Sequence, residues 1–355
     1  MPVRGSERCC RGCTPYWRRS RSCTWPIRLC GAVSPSTNPW RAGPRGPVPL
    51  SPLNRICRID GILDSAGRFR VLEANAVCPG GIAFAPRAHE IWRAVVGLPD
   101  GVSERAQPLL TDPRLFARSL VDCHREQFGR DPTTAVIVTL SSRYHQEVSE
   151  MIEDLQALGV DASTADARTI RLREDRVVDQ RGRRVDLVYA NVDQLDLITD
   201  PDLTSYLDAA VSGVACFVNP LLSQCIIGDK RALAIMWDPR FADYFNAAER
   251  ALITEFIPAT RLVLRDRDLL DLLERARDRL VLKPANRLCG EGVVIGPGTT
   301  PAAWRTALRR AAVSGAHVVQ EYCPLPQLPG HNGLQLGMDG FVFNAPSKVG
   351  MPGRI

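Results

Sequence analysis

No apolar run in this 355-residue chain approaches the roughly 18 residues that a bilayer-spanning helix needs, so no membrane partner is expected. Lysine is almost missing: of 45 basic residues only Lys230, Lys283 and Lys348 are lysine, and the rest are arginine. Histidine numbers five, and no Ser-His or Cys-His arrangement stands out, so catalysis by an activated side-chain nucleophile is not expected. The twelve cysteines lack paired spacing, since the only C-x-x-C, Cys10 to Cys13, has no second pair and no H-x-x-x-H partner. That argues against a disulfide framework and gives only the weakest case for zinc; the cysteines of the body read as reduced thiols of a cytoplasmic protein. The low hydrophobicity of disordered chains is also absent, with 45% hydrophobic and 24% charged residues.

Negative charge is nearly absent from the front. Residues 1–50 hold nine arginines against the single acid Glu7, a balance of +8, so the net charge of +6 leaves the remaining chain at 6 − 8 = −2. With no basic stripe on the body, no nucleic-acid partner is expected.

The chain is long enough for two or three domains at about 100 to 200 residues each. Residues 1–54 mix Arg, Cys, Pro, Ser and Trp without an apolar period, and are expected to be a disordered leader or a wrongly assigned start. Residues 55–130 open with a hairpin, predicted as strands Ile59 to Leu63 and Phe69 to Glu73 about a turn through Asp64, Ser65 and Gly67. The Pro-Gly-Gly at 79–81 stops it, and helices are predicted around Ile91 to Val96 and from Leu115 to Phe128.

Residues 131–220 read as a small Rossmann-like α/β layer with a parallel sheet. Its strands are predicted at Ala135 to Leu140, Val185 to Tyr189 and Val214 to Val218, with a helix through Val148, Met151, Leu155 and Leu158. Residues 221–355 carry strands at Leu280 to Lys283, Val293 to Ile295 and Val318 to Tyr322. A helix lies between the last two, with Thr300 as its cap, Pro301 in its first turn and Gly315 as its stop. The fold class is α/β.

Two groups of residues carry chemistry. In a chain so poor in lysine, Lys283 stands at the end of the apolar strand Leu-Val-Leu-Lys-Pro, where a compact ammonium can reach one phosphate oxygen that a forked guanidinium would fit badly. The following loop, Ala285 to Val293, places Gly290 and Gly292 between two strands. It reads either as a tight hairpin turn or as backbone amides folding over the phosphates of ATP. Gln320, Glu321 and Tyr322 then offer main-chain groups at a hinge for an adenine edge.

The second group is Asp60, Glu73 and Asn75, all hard oxygen donors suited to Mg2+, with Arg58 on the same face as Asp60 and able to clamp a phosphoryl oxygen. Taken alone it could equally be the wet side of a surface hairpin.

Together the pieces resemble a known family. Arg58-x-Asp60, then Glu73-x-Asn75 followed by Pro-Gly, looks like the magnesium-binding end of ATP-grasp ligases, and Lys283 with its glycine loop looks like their nucleotide-binding half. The metal motif comes first here, which is similar to the circularly permuted branch typified by glutathionylspermidine synthase. The resemblance covers roughly residues 55–345 and implies the ATP-grasp fold, with Lys230 as the earlier nucleotide-contacting lysine and Arg58 as a catalytic group.

It further implies an ATP- and Mg2+-dependent ligase that activates a small-molecule carboxylate as an acyl phosphate and joins it to an amine, releasing ADP and phosphate. A small-molecule kinase on the same fold and a non-catalytic ATP-binding relative remain the alternatives. The leader has no counterpart in the family. The family continues beyond Phe343 with more strands and a basic residue, so 221–355 reads as a shortened nucleotide-binding portion with Arg354 standing in.

Overall fold

A computed structural model describes residues 54–96, 112–140, 145–327, 335, 337–343, 349–350 and 353–354, all within one unit, Pro39–Ile355. The expected leader (apart from Asn54), residues 97–111 and Lys348 lie outside the described residues.

Strands β1 (Ile56–Leu63) and β2 (Phe69–Asn75) form an antiparallel hairpin. Asp64 builds the turn, its carboxylate accepting from Ala66 N at 3.0 Å and Arg68 N at 2.9 Å, which is how aspartate favours a reversal over continued strand. The next helix, α1 (Phe84–Val96), starts well before the predicted Ile91. Pro86 falls in its first turn, where a proline removes no intrahelical hydrogen bond, so the helix can begin ahead of it. Helix α2 (Leu115–Phe128) has the predicted bounds and ends at Gly129, which takes a left-handed φ of 72°.

The middle layer is a parallel sheet, as expected. Strands β3 (Thr134–Thr139), β4 (Asp161–Asp166), β7 (Leu187–Asn191) and β8 (Cys216–Val218) lie in the order β4-β3-β7-β8, with a small antiparallel pair β5 (Arg171–Arg173) and β6 (Arg176–Val178) between. Helix α3 (His145–Ala157) connects β3 to β4, and α4 (Gln194–Thr199) and α5 (Thr204–Val211) lie between β7 and β8.

Because side chains alternate along a strand, β3 and β7 feed two cores at once. Ala135, Ile137, Leu187 and Tyr189 join the core with Phe116, Leu120, Met151 and Leu155 of α2 and α3. Val136, Val138, Val188 and Ala190 face the core with Leu197, Leu203 and Tyr206. Burial on both faces is why these strands read as continuous apolar runs.

Three helices follow: α6 (Leu221–Ile227), α7 (Arg231–Trp237) and α8 (Ala247–Phe256). A second sheet contains β9 (Thr260–Leu262), β10 (Leu280–Pro284), β11 (Val294–Ile295) and β12 (His317–Glu321) in the antiparallel order β11-β10-β12-β9. Helices α9 (Arg267–Arg275) and α10 (Pro301–Ser314) cover it, with Leu273, Trp304 and Leu308 packed on Leu282 and Val319. As predicted, Thr300 caps α10 by accepting from Ala303 N at 3.3 Å, and Gly315 closes it at φ 65°.

The chain then returns to its first strand. Strand β13 (Gly337–Phe343) pairs antiparallel with β1, and β14 (Val349–Gly350) and β15 (Gly353–Arg354) pair with β13. Phe341 and Phe343 enter the same core as Ile56 and Ile82, so the hairpin sheet is fastened to the α2 and α3 side of the parallel sheet. This partner also explains why β1 begins at Ile56, three residues before the predicted start: Ile56 pairs with Phe343. No helix among the described residues is long and apolar enough to cross a membrane.

Candidate functional site

Register puts the acidic constellation on one surface. Asp60 lies opposite Glu73 on one side and Asp339 on the other, and Arg58 lies opposite Asn75. Directly opposed residues share a face, so the polar end of this sheet gathers Arg58, Asp60, Glu73, Asn75 and Asp339. Ile56 and Phe343 carry the same face into the core.

Within the cluster Arg58 grips Asp60 with two bonds, Nε to Oδ1 at 2.5 Å and Nη2 to Oδ2 at 2.8 Å, and its Nη1 donates to Gly80 O at 2.6 Å. Asp339 stands 3.9 Å from Arg58 Nε. Burial works against the guanidinium charge, but Asp60, Asp339 and Glu73 together raise its pKa above the ordinary value. Burial pushes the Asp60 carboxyl up, with Arg58 pulling the other way.

The late half of the chain meets this face. Lys230 Nζ lies 3.0 Å from Glu73 Oε2 and donates to Arg287 O at 2.9 Å. Lys283 Nζ donates to Gln320 Oε1 at 2.6 Å and to Leu72 O of β2 at 3.3 Å. Although burial disfavours its charge, Glu73 is held below the usual carboxylate range by Lys230 and Lys283. Lys283 is lowered to about 8, chiefly by burial. Two ammonium groups and a carboxylate-rich face therefore border one space.

Gly290 and Gly292 both take a φ of 72° in the loop between β10 and β11, and Val293 N donates to Gly290 O at 3.1 Å. A Cβ at Gly292 would stand 2.9 Å from Pro284 Cγ, so only glycine fits there, whereas Gly290 has open space. Gln320 is buried, with its amide group divided between Lys283 and Thr260 Oγ1.

The hinge differs from expectation in one respect. Glu321 N donates to Ala259 O and Tyr322 N to Arg279 O, both at 2.8 Å, so these two main-chain donors are taken up inside the sheet. The strand itself ends at Glu321, one residue before the predicted Tyr322.

Two residues were missed. Asp339 has no neighbouring motif; the only signal was the alternation Asp339, Phe341, Phe343, which puts a carboxylate on the face of two core aromatics. Asn219, at the end of β8, accepts from Arg55 N and Ile56 N at 2.9 and 2.8 Å and donates to Ile56 O and Ala76 O at 2.5 and 2.8 Å. It ties the hairpin to the parallel sheet, and nothing in its sequence surroundings marks it.

The donor set fits a hard cation: two or three carboxylates and an amide, with no sulfur or imidazole. Among the described residues no three His, Cys, Asp or Glu side chains are grouped closely enough to hold a metal by themselves. A cation here would thus share its coordination with phosphate oxygens and water, which is the habit of Mg2+. Asn75 presents its Nδ2 to Asp60 Oδ2 at 3.0 Å, so its oxygen would reach a cation only after a half-turn of the amide. The two lysines and the glycine loop fit a polyphosphate.

Comparison with known proteins identifies the family. The sequence model of a family described as a circularly permuted ATPgrasp matches residues 43–320. A Frankia alni protein with the provisional name glutamate–cysteine ligase 2-3 is 28% identical over 260 residues, which is 68% of this chain and 28% of that protein. An uncharacterized Mycobacterium tuberculosis protein is 28% identical over 262 residues, 70% of this chain and 44% of that one. The chain thus spans less than half the length of these curated relatives. A solved structure from Methylobacillus flagellatus KT, provisionally titled gamma-glutamylcysteine synthetase, aligns with TM-score 0.42 at 12% identity, covering 82% of this chain and 73% of its own. A D-cycloserine synthetase structure aligns with TM-score 0.33 at 19% identity over 53% of this chain and 59% of its own. With the family model matching well over half its length, and the metal-type motif ahead of the lysines, the chain belongs to the circularly permuted ATP-grasp family.

Proposed function

We propose that the protein is an ATP-dependent carboxylate–amine ligase that works in the cytoplasm through an acyl phosphate. The observation that carries this reading is the meeting of Lys230 and Lys283 with the Glu73 strand, which puts phosphate-type cations and cation-type carboxylates around one space. Lys230 and Lys283 would neutralise α- and β-phosphate oxygens, and Gly290 and Gly292 would let backbone approach them. Asp60, Glu73 and Asn75, joined by Asp339, would hold Mg2+, which supplies charge neutralisation at the transferring phosphoryl group. Arg58 would stabilise that group as a carboxylate oxygen bonds to the γ-phosphorus and the bond to ADP breaks. An amine nitrogen then bonds to the acyl carbon, phosphate leaves, and the amine loses a proton.

The relative named for glutamate–cysteine ligation puts glutamate and cysteine first in a substrate panel, with other amino acids and polyamines behind them. The test is substrate-dependent ADP release by the wild type, Glu73→Gln and Lys283→Met. A loss of about a hundredfold or more is expected in each variant, the size typical of removing a charge that acts on the transition state. Hydroxylamine should trap the acyl phosphate; a stable phosphoester in its place would mean a kinase. Undiminished turnover in both variants would end the assignment.

A further inference from the structure

We infer that Glu147, on α3, is a positioning residue that fixes the Arg58 guanidinium. This rests on the role proposed for Arg58. Glu147 is a buried carboxylate, 3% exposed, and its two oxygens accept separate backbone N–H groups, Gly81 N at 3.0 Å and Ala83 N at 3.1 Å. No cation pairs with it among the described ion pairs. Both N–H groups belong to the turn that leads into α1, Ala83 immediately before its first residue Phe84, so a carboxylate arriving from another helix holds the entry to α1 from outside.

The same turn holds Gly80, whose carbonyl accepts Arg58 Nη1 at 2.6 Å. Clamping Gly81 and Ala83 therefore fixes the direction of the Gly80 carbonyl. That carbonyl and the Asp60 carboxylate grip the guanidinium from two sides. The Gly-Gly sequence at 80–81, with Gly81 at φ 87°, has little stiffness of its own, which is why an outside clamp matters. A carboxylate is the right group for the task, since it accepts at both oxygens; an amide of the same shape accepts at one and turns an NH2 against the other donor.

The test follows the Arg58 Nε–H signal in 15N–1H correlation spectra, assigned by its loss in Arg58→Lys, together with ADP release. Glu147→Gln should speed hydrogen exchange of that Nε–H at least tenfold. Other arginine signals should stay in place, turnover should fall about tenfold, and the KM for ATP should hold. In an Arg58→Lys background, adding Glu147→Gln should cost less than twofold, since residues acting through one another are not additive. If Glu147→Gln does not fold, Glu147→Asp keeps the charge on a shorter arm and should show the same exchange effect. An Arg58 signal that exchanges freely in the wild type, or is unchanged in the folded variant, overturns the clamp. Full turnover in Arg58→Lys with a responsive signal overturns instead the role of Arg58 on which the inference stands.

Discussion

The Lys230 ammonium stands 3.0 Å from a carboxylate oxygen of Glu73 and donates at 2.9 Å to the Arg287 carbonyl, so one cation joins the early hairpin to the glycine loop. Removing one partner of a buried pair leaves the other without compensation, a cost of about 3–5 kcal/mol when burial is complete. Glu73 keeps 22% exposure and still faces Lys283, so Lys230→Met is expected to cost about 2 kcal/mol, below that range. Urea unfolding measures it, and Glu73→Gln added to Lys230→Met should recover part of the loss. A double variant no more stable than the single one would show that the pair is not coupled.

Lys283 gives a pH dependence with a definite sign. Burial lowers its folded-state pKa to about 8 from 10.5, so the folded protein binds fewer protons than the unfolded chain between those values. The cost of charging Lys283 inside the fold is present in full below pH 8 and is relieved as pH rises toward 10.5. If its ammonium meets phosphate, ATP binding should weaken above about pH 8, and Lys283→Arg should flatten the profile. Calorimetric titrations across this range would show it; a wild-type Kd independent of pH would remove Lys283 from the phosphate contact.

The two loop glycines should respond differently to alanine. Gly290→Ala carries only the left-handed backbone penalty, about 1–2 kcal/mol. Gly292→Ala adds a Cβ 2.9 Å from Pro284 Cγ, in a rigid ring next to Lys283. It is expected to lower Tm further and to weaken ATP binding more than Gly290→Ala does, as thermal melts with and without nucleotide will report. Equal effects would mean that the loop shifts freely away from Pro284.

Asn219→Ala removes an amide that makes four hydrogen bonds in a site only 2% exposed. Leaving buried donors and acceptors unpaired costs about 1–3 kcal/mol per group. A loss of about 3 kcal/mol in urea unfolding with an unchanged m-value is expected, and a loss below about 1 kcal/mol would show that water replaces the amide.

Much of the fold was legible because period and punctuation were local. The continuous apolar run from Ala135 to Leu140 announced a buried strand, and Thr300, Pro301 and Gly315 marked α10 at both ends. The polar strand Asp161–Asp166 was not legible, since it has no apolar run and is a strand only because β3 offers a ladder. Within the site, period-two spacing showed that Glu73 and Asn75 share a face and scarcity singled out Lys283, whereas Lys230 came only with the family resemblance. Asp339, Asn219 and Glu147 were hidden for a common reason. Each acts on residues far along the chain, and a lone Asp, Asn or Glu carries no spacing that would betray its partner.

Strand β13 fills the place beside β1 although nearly the whole described chain separates the two. During synthesis the hairpin bearing Asp60 therefore leaves the ribosome with one row of backbone hydrogen-bonding groups unpaired, and waits until β13 is made before that row is covered. An open edge held for so long invites pairing with another nascent chain, so chaperone supply and translation rate should govern the soluble yield of this protein more than the stability of its finished state.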